Sequence, residues 1–201
     1  MFVYCGNCPS CFGDSHGTMM TNRVNVADGG GRAKKVKYDV PLYDQGDRKL
    51  CWATCQLMMH SYKTGVRFSP EEAEVCITLI AVIDAIVNNK ETWDSGGWPN
   101  DLGEKQYISS IEELYDALLE NGPVYAYYSE PEKKDPTQHL AAHMIIVTGV
   151  DLDQGIVFTN NPHGVKGEQS FDSFLSGYVG KNGLSENRYF RYIYHVEGAK
   201  P

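Results

Sequence analysis

The sequence predicts an α+β domain in which helices come first and antiparallel strands second. Two observations carry this. Ahead of Gly122, two segments open with helix-capping signals, Ser69-Pro70 with Glu72 and Ser110 with Glu113. Beyond Pro123, short β-branched and aromatic runs are separated by tight turns.

The elements follow in chain order. Residues 1–35 hold Cys-rich, Met-rich and Gly-rich pieces with no helical or strand period, and read as an N-terminal extension or loosely packed tail. The domain proper is expected over residues 36–201. Val36, Tyr38 and Val40 alternate with polar residues and stop at Pro41, as a short edge strand does. Cys51 to about Tyr62 reads as a largely buried helix, with Trp52, Cys55, Leu57, Met58 and Met59 apolar. The second helix has Ser69 as cap, Pro70 at its first position and Glu72 closing a capping box. Trp93 to Gln106, rich in Gly, Asn and Asp, reads as loop. The third helix runs from Ser110 to the stop signal Asn121-Gly122-Pro123, with Ile111, Leu114, Leu118 and Leu119 at helical spacing. Residues 124–128 and 143–150 read as strands. Residues 151–155 form a turn, 156–159 return as the hairpin partner, and 188–196 close the sheet.

Composition narrows the function classes. A chain of 201 residues with 42% hydrophobic and 22% charged residues is globular, and its length suits one domain or two packed lobes. Eighteen Lys+Arg against 26 Asp+Glu give a net charge of −8, which argues against a partner bound through its phosphates, so no nucleic acid is expected. No apolar run is long enough for a membrane span. The start lacks a charged segment followed by an apolar one, so the expected location is the cytoplasm, or outside the cell by a route without a classical signal peptide. With that expectation the six cysteines read as mostly reduced, and Cys51 and Cys55, four apart in a helix, are awkwardly placed for a bridge.

The chemistry concentrates in Gln45-Gly46-Asp47-Arg48-Lys49-Leu50-Cys51-Trp52-Ala53. A cysteine in the first turn of a helix meets backbone N–H groups and the positive end of the helix dipole, both of which favour the thiolate. Gln45 can fold back to offer its amide N–H beside the Cys51 backbone N–H, and two such donors make an oxyanion hole. Such a nucleophile needs a base. His143 opens an apolar strand, and the following hairpin returns Asn160-Asn161-Pro162 to the same end, where an asparagine orients the imidazole. Taken singly, Cys51 reads equally well as a small core residue, and His143 reads better as a structural strand histidine. Together they make a nucleophile and its base. His139, in a loop with no strand to fix it, is the alternative base.

These residues resemble the papain-like cysteine peptidase superfamily: Gln45 with Cys51-Trp52-Ala53, His143 on its strand, and Asn161-Pro162-His163-Gly164 after the hairpin. The segment 143–162, followed by Gln169 to Phe174, is most similar to the bacterial branch that contains the double-glycine leader peptidases. The resemblance covers roughly residues 36–196. It implies a papain-like fold, a helical lobe packed on an antiparallel sheet lobe with the cleft between them. It also implies Cys51 as nucleophile, His143 as base and then acid, Asn161 as orienter and Gln45 as oxyanion donor. His163 stands where the family has a shielding tryptophan, and Asn160 competes with Asn161 for the third role.

Other motifs carry less. Cys5, Cys8 and Cys11 with His16 have the first half of a zinc pattern but lack the second Cys pair, so no metal or other cofactor is expected. Gly29-Gly30-Gly31 reads as a flexible joint, or as a self-cleavage site on the double-glycine resemblance. Asp151 and Asp153 are turn residues, the loop being far too short for a calcium site. The expected function is a thiol-dependent acyl-transfer enzyme acting on a peptide, a protein or a carrier-bound acyl group. The leading form is a cysteine peptidase. An amide-forming acyltransferase with the same residues and an inactive papain-like binding module are the alternatives, and a Cys-rich redox or metal protein centred on residues 5–16 is a weaker third.

Overall fold

The computed structural model describes residues 34–88, 97–129, 142–179, 185–186 and 189–198. Residues 1–33, with Cys5, Cys8, Cys11, His16 and the glycine run, lie outside the described residues, as does His139. The elements in order are β1 (Lys35–Lys37), α1 (Cys51–Thr64), α2 (Pro70–Val87), β2 (Leu102–Gln106), α3 (Ile111–Asn121), β3 (Val124–Ser129), β4 (Ala142–Asp151), β5 (Ile156–Asn161), β6 (Val165–Ser170), α4 (Phe171–Ser176), β7 (Tyr178–Val179), β8 (Ser185–Glu186) and β9 (Tyr189–Val196). The fold is α+β, with a helical lobe toward the N-terminus and an antiparallel sheet toward the C-terminus.

The helices form where their caps dictate. Ser69 Oγ accepts from the Glu72 backbone N–H (3.3 Å), and Glu72 Oε2 accepts from the Ser69 N–H (2.9 Å), so the capping box of α2 is closed in both directions. Ser110 Oγ accepts from Glu113 N–H at the start of α3, but the Glu113 carboxylate turns to Ser109 instead of Ser110. α1 has no capping side chain, since Leu50 precedes it, and its first turn contains no acid. It is held by packing. Buried residues face nearly all round the helix, Trp52, Met58 and Met59 among them, because α1 lies against α2 and against β4.

The sheet has seven strands in the order β2-β9-β3-β4-β5-β6, with β1 pairing beside this path to β4. β4 is the longest strand. β3 covers its residues 142–147, and β1 covers 149–151 beyond the end of β3. The alternation of Val36, Tyr38 and Val40 appears as burial of all three. One continuous apolar core, with Leu50, Ile77, Leu118, Ile146 and Ile193 fully buried, joins the helices to the sheet.

The sequence reading of Trp93–Gln106 as loop is corrected at its end. Leu102–Gln106 is an outer strand paired to β9 with a register shift between Leu102 and Lys105. Its composition, Leu-Gly-Glu-Lys-Gln, hides it because neither face is apolar. β6 went unread for the same reason: Val-Lys-Gly-Glu-Gln-Ser is largely solvent-facing.

The lobes are latched at the far end of α1. Lys63 Nζ donates to Asp101 Oδ2 (2.5 Å) and to the Glu197 carbonyl (3.1 Å), and the buried Tyr125 hydroxyl donates to Asp101 Oδ1 (2.8 Å). Burial, reinforced by Asp101, pushes the Tyr125 phenol well above its ordinary value, and burial does the same to the Cys55 thiol.

Two outcomes are expected. A Cβ on Gly149 would come within 2.3 Å of the Val36 carbonyl oxygen and 2.8 Å of Lys37 Cα, both backbone, so Gly149→Ala prises β1 from β4. Its denaturation midpoint should fall by the equivalent of about 1–3 kcal/mol, the usual overpacking cost. The second concerns pH. The native state holds protons on Cys55 and Tyr125 that the unfolded chain releases. Their contribution is therefore intact below the ordinary thiol value of 9.0 and is lost as pH rises through it and then through the phenol value of 10.0. Urea midpoints measured against pH should decline above the thiol value, and less so in Cys55→Ala.

Candidate active site

The site assembles where the start of α1 meets the open end of β4 and β5. Cys51 is the first residue of α1 and is half-buried. One turn on, the Cys55 thiol donates to the carbonyl of Met144 (3.4 Å). Residues four apart share a helix face, so this contact sets the Cys51 end of α1 beside the start of β4. The residue before Met144 is His143. Cys51, Cys55 and Cys76 are thiols.

His143 is the second residue of β4 and is 3% exposed. Its Nε2 lies 3.3 Å from Asn161 Oδ1. The same oxygen accepts from the His163 backbone N–H (3.1 Å). A backbone N–H only donates, so the atom it faces is the amide oxygen, and the histidine nitrogen on that oxygen must itself donate. That leaves Nδ1 as the basic nitrogen when the ring is neutral. Asn161 thus fixes the tautomer as well as the ring.

The neighbouring asparagine does something else. Asn160 Nδ2 donates to the carbonyls of Val40 (2.8 Å) and Pro41 (3.3 Å), so its side chain ties β5 to the segment leaving β1. Successive strand residues point to opposite faces, which separates the two asparagines.

Gln45 is 5% exposed. Its Nε2 donates to the Arg48 carbonyl (2.5 Å), and its Oε1 is buried with no hydrogen-bond partner among the described residues. A carbonyl at Nε2 confirms the sense of the amide, whose second N–H remains to be directed elsewhere. The loop carrying Gln45 is tied to the asparagine turn, since Gln45 N–H donates to the Pro162 carbonyl (2.6 Å) and Asp44 pairs with His163 in a β-bridge. The turn itself is a three-residue hairpin loop. Asn161 pairs with Val165, Gly164 N–H donates to the Asn161 carbonyl (3.0 Å), and Gly164 has φ of 74°. Pro162 early and Gly164 in the left-handed position are what such a loop requires.

Sequence reasoning missed two features here. The His163 ring stacks on that of His143, with centroids 5.3 Å apart and planes within 8°. The available signal was its place in the sequence, which the resemblance gives to a shielding tryptophan. An aromatic surface also begins beside α1. Gly97 lies against the Trp52 ring, so closely that a Cβ there would sit 2.1 Å from Trp52 Cζ2. The next residue, Trp98, is 40% exposed and stacks on Tyr127, which stacks on Tyr192. Asp151 and Asp153 pair with Lys35 and Lys34 at the β4–β5 turn, and no cluster of three metal-ligating side chains occurs among the described residues.

Asn160→Ala is expected to lower stability by about 1–3 kcal/mol in chemical denaturation, since it strips the donor from two main-chain carbonyls. Gly164→Ala forces a left-handed backbone on a Cβ that meets Asp44 Oδ2 at 3.1 Å, so its midpoint should fall too.

No curated protein sequence matches the chain. Residues 34–179 match the family model described as papain-like cysteine protease AvrRpt2, a span that includes Gln45, Cys51, His143 and Asn161. That span is most of the chain, and it places the protein in the family of papain-like cysteine proteases.

Proposed function

We propose that the chain is a cysteine peptidase that cleaves peptide bonds through a Cys51 acyl-enzyme, with His143 as base and acid, Asn161 as its orienter and Gln45 as oxyanion donor. The observation that carries this reading is the His143–Asn161 contact at the start of β4, joined to α1 one turn from Cys51 by the Cys55–Met144 hydrogen bond.

The start of α1 suits a thiolate. Its N–H groups point toward Cys51, no capping side chain competes for them, and no acid in the first turn offsets the dipole. Proton transfer from Cys51 to His143 Nδ1 gives a thiolate and an imidazolium. The thiolate attacks the carbonyl carbon of the scissile bond, and the carbonyl π electrons move to oxygen. That oxyanion accepts from the Cys51 backbone N–H and the Gln45 amide. As the intermediate collapses, the C–N bond breaks and His143 gives its Nδ1 proton to the leaving amine. A water then attacks the thioester while His143 removes its proton, the C–S bond breaks, and the acid product leaves. Asn161 stays on Nε2 throughout and supports the positive charge that comes and goes. Substrate side chains next to the scissile bond would meet the aromatic surface of Trp98, Tyr127 and Tyr192, which begins where Gly97 touches the ring that follows Cys51.

The test is the pH dependence of iodoacetamide alkylation at Cys51, beside cleavage of unfolded casein. Wild type is expected to alkylate fast well below the pH at which an ordinary thiol ionises. His143→Ala should lose that rate by about 10²-fold at neutral pH. Gln45→Ala should keep the alkylation and lose cleavage by about 10²–10³-fold, the effect of removing one oxyanion donor. Mass spectrometry of the products distinguishes new carboxylate termini from amides formed with an added amine. Alkylation indifferent to His143→Ala overturns the reading.

A further inference from the structure

His143 carries a second imidazole on its face. The His163 ring lies nearly parallel to it, 8° apart in plane and 5.3 Å between centroids. His163 also reaches the site through its main chain, its N–H on Asn161 Oδ1 and its bridge to Asp44 beside Gln45. One residue therefore touches the ring of the base, the oxygen that orients that ring, and the loop that carries the oxyanion donor.

We propose that His163 is a positioning residue for His143, that its stacked ring opposes rotation of the His143 imidazole about Cβ–Cγ, and that the two rings titrate as one coupled pair. The proposal rests on the Cys51–His143 reading above. Rotation of the His143 ring would break the Nε2–Asn161 hydrogen bond, swing Nδ1 away from its place and give up the parallel stack on His163. Any planar aromatic would hold the ring equally at every pH. An imidazole does so conditionally, because a proton on both rings sets two like charges face to face. Among the described residues, titratable and charged groups stand on each element that adjoins the stack, with Tyr128 of β3 paired in register with His143. Cys51 comes from α1. Asp44, Asp47 and Arg48 come from the loop before α1, with Asp44 across the bridge and its carboxylate against Gly164. Lys166 comes from β6, paired in register with Asn160. The Asp44 carboxylate and the Cys51 thiolate favour a proton on the stack, and each ring opposes a proton on the other.

The experiment compares wild type, His163→Ala, His163→Phe and His143→Ala in the full chain. Two quantities are read from about pH 5 to about pH 8, where imidazoles titrate: the iodoacetamide rate at Cys51 and the ring-proton NMR shifts of His143. At neutral pH, His163→Ala is expected to alkylate about tenfold more slowly, and His163→Phe within about twofold of wild type, because the flat ring is restored. The His143 shifts should show two inflections in wild type and one in His163→Phe. Equal rates in wild type and His163→Ala, or a single inflection in both proteins, overturn the role of His163. Where circular dichroism shows His163→Ala unfolded, the NMR comparison with His163→Phe decides alone. Loss of rate in His143→Ala with none in His163→Ala overturns this inference only, whereas no loss in either overturns the Cys51–His143 reading as well.

Discussion

The constraint on which the rest of the structure depends is the burial of α1 between α2 and β4. A helix that is apolar nearly all round has no stable place on a surface, and only a sandwich position satisfies it. That position fixes its axial direction and rotation. Its first residue then has to fall at the end of the sheet where β4 begins and β5 ends. The Cys55–Met144 hydrogen bond and the Lys63–Asp101–Tyr125 latch hold opposite ends of the same helix, so Cys51 does not depend on a loop for its place. A site carried by packed elements is held more tightly than one carried by loops.

The second organising feature is small. The turn from Asn161 to Gly164 closes the β5–β6 hairpin, and it reaches three groups of the site. It supplies the Asn161 oxygen to His143, the Pro162 carbonyl to Gln45 N–H, and the His163 ring to the face of His143. Its shape comes from Pro162 and from the positive φ of Gly164. Hydrogen-bonding capacity that would otherwise be spent on solvent is used to relate two loops far apart in the chain.

Much of the fold was legible because the local physics is strong. Ser69, Pro70 and Glu72 marked the start of α2, and the capping box is closed as their spacing requires. Val36, Tyr38 and Val40 alternated, and all three are buried. Two strands without an apolar period in the sequence, β2 and β6, lie at the two ends of the main sheet path, where solvent replaces the apolar face that periodicity depends on. Their pairing is decided by backbone hydrogen bonds to β9 and β5, which leave no trace in side-chain hydropathy.

The candidate site divides the same way. By itself the sequence determined that a cysteine opens a helix, that a histidine opens an apolar strand, and that two asparagines end the hairpin that follows. These are consequences of local propensity and turn chemistry, which act over a few residues. Only the tertiary structure decided which asparagine reaches the histidine. The β4–β5 register steps by one residue between Val147 and Gly149, and without that bulge every later residue of β5 would meet a different partner on β4. Because side chains alternate along a strand, that single step sends Asn161 to His143 and Asn160 to the carbonyls of Val40 and Pro41. The stacking of His163 on His143 likewise depends on where the closed turn sits against β4, a position set by long-range packing and by no residue within the turn.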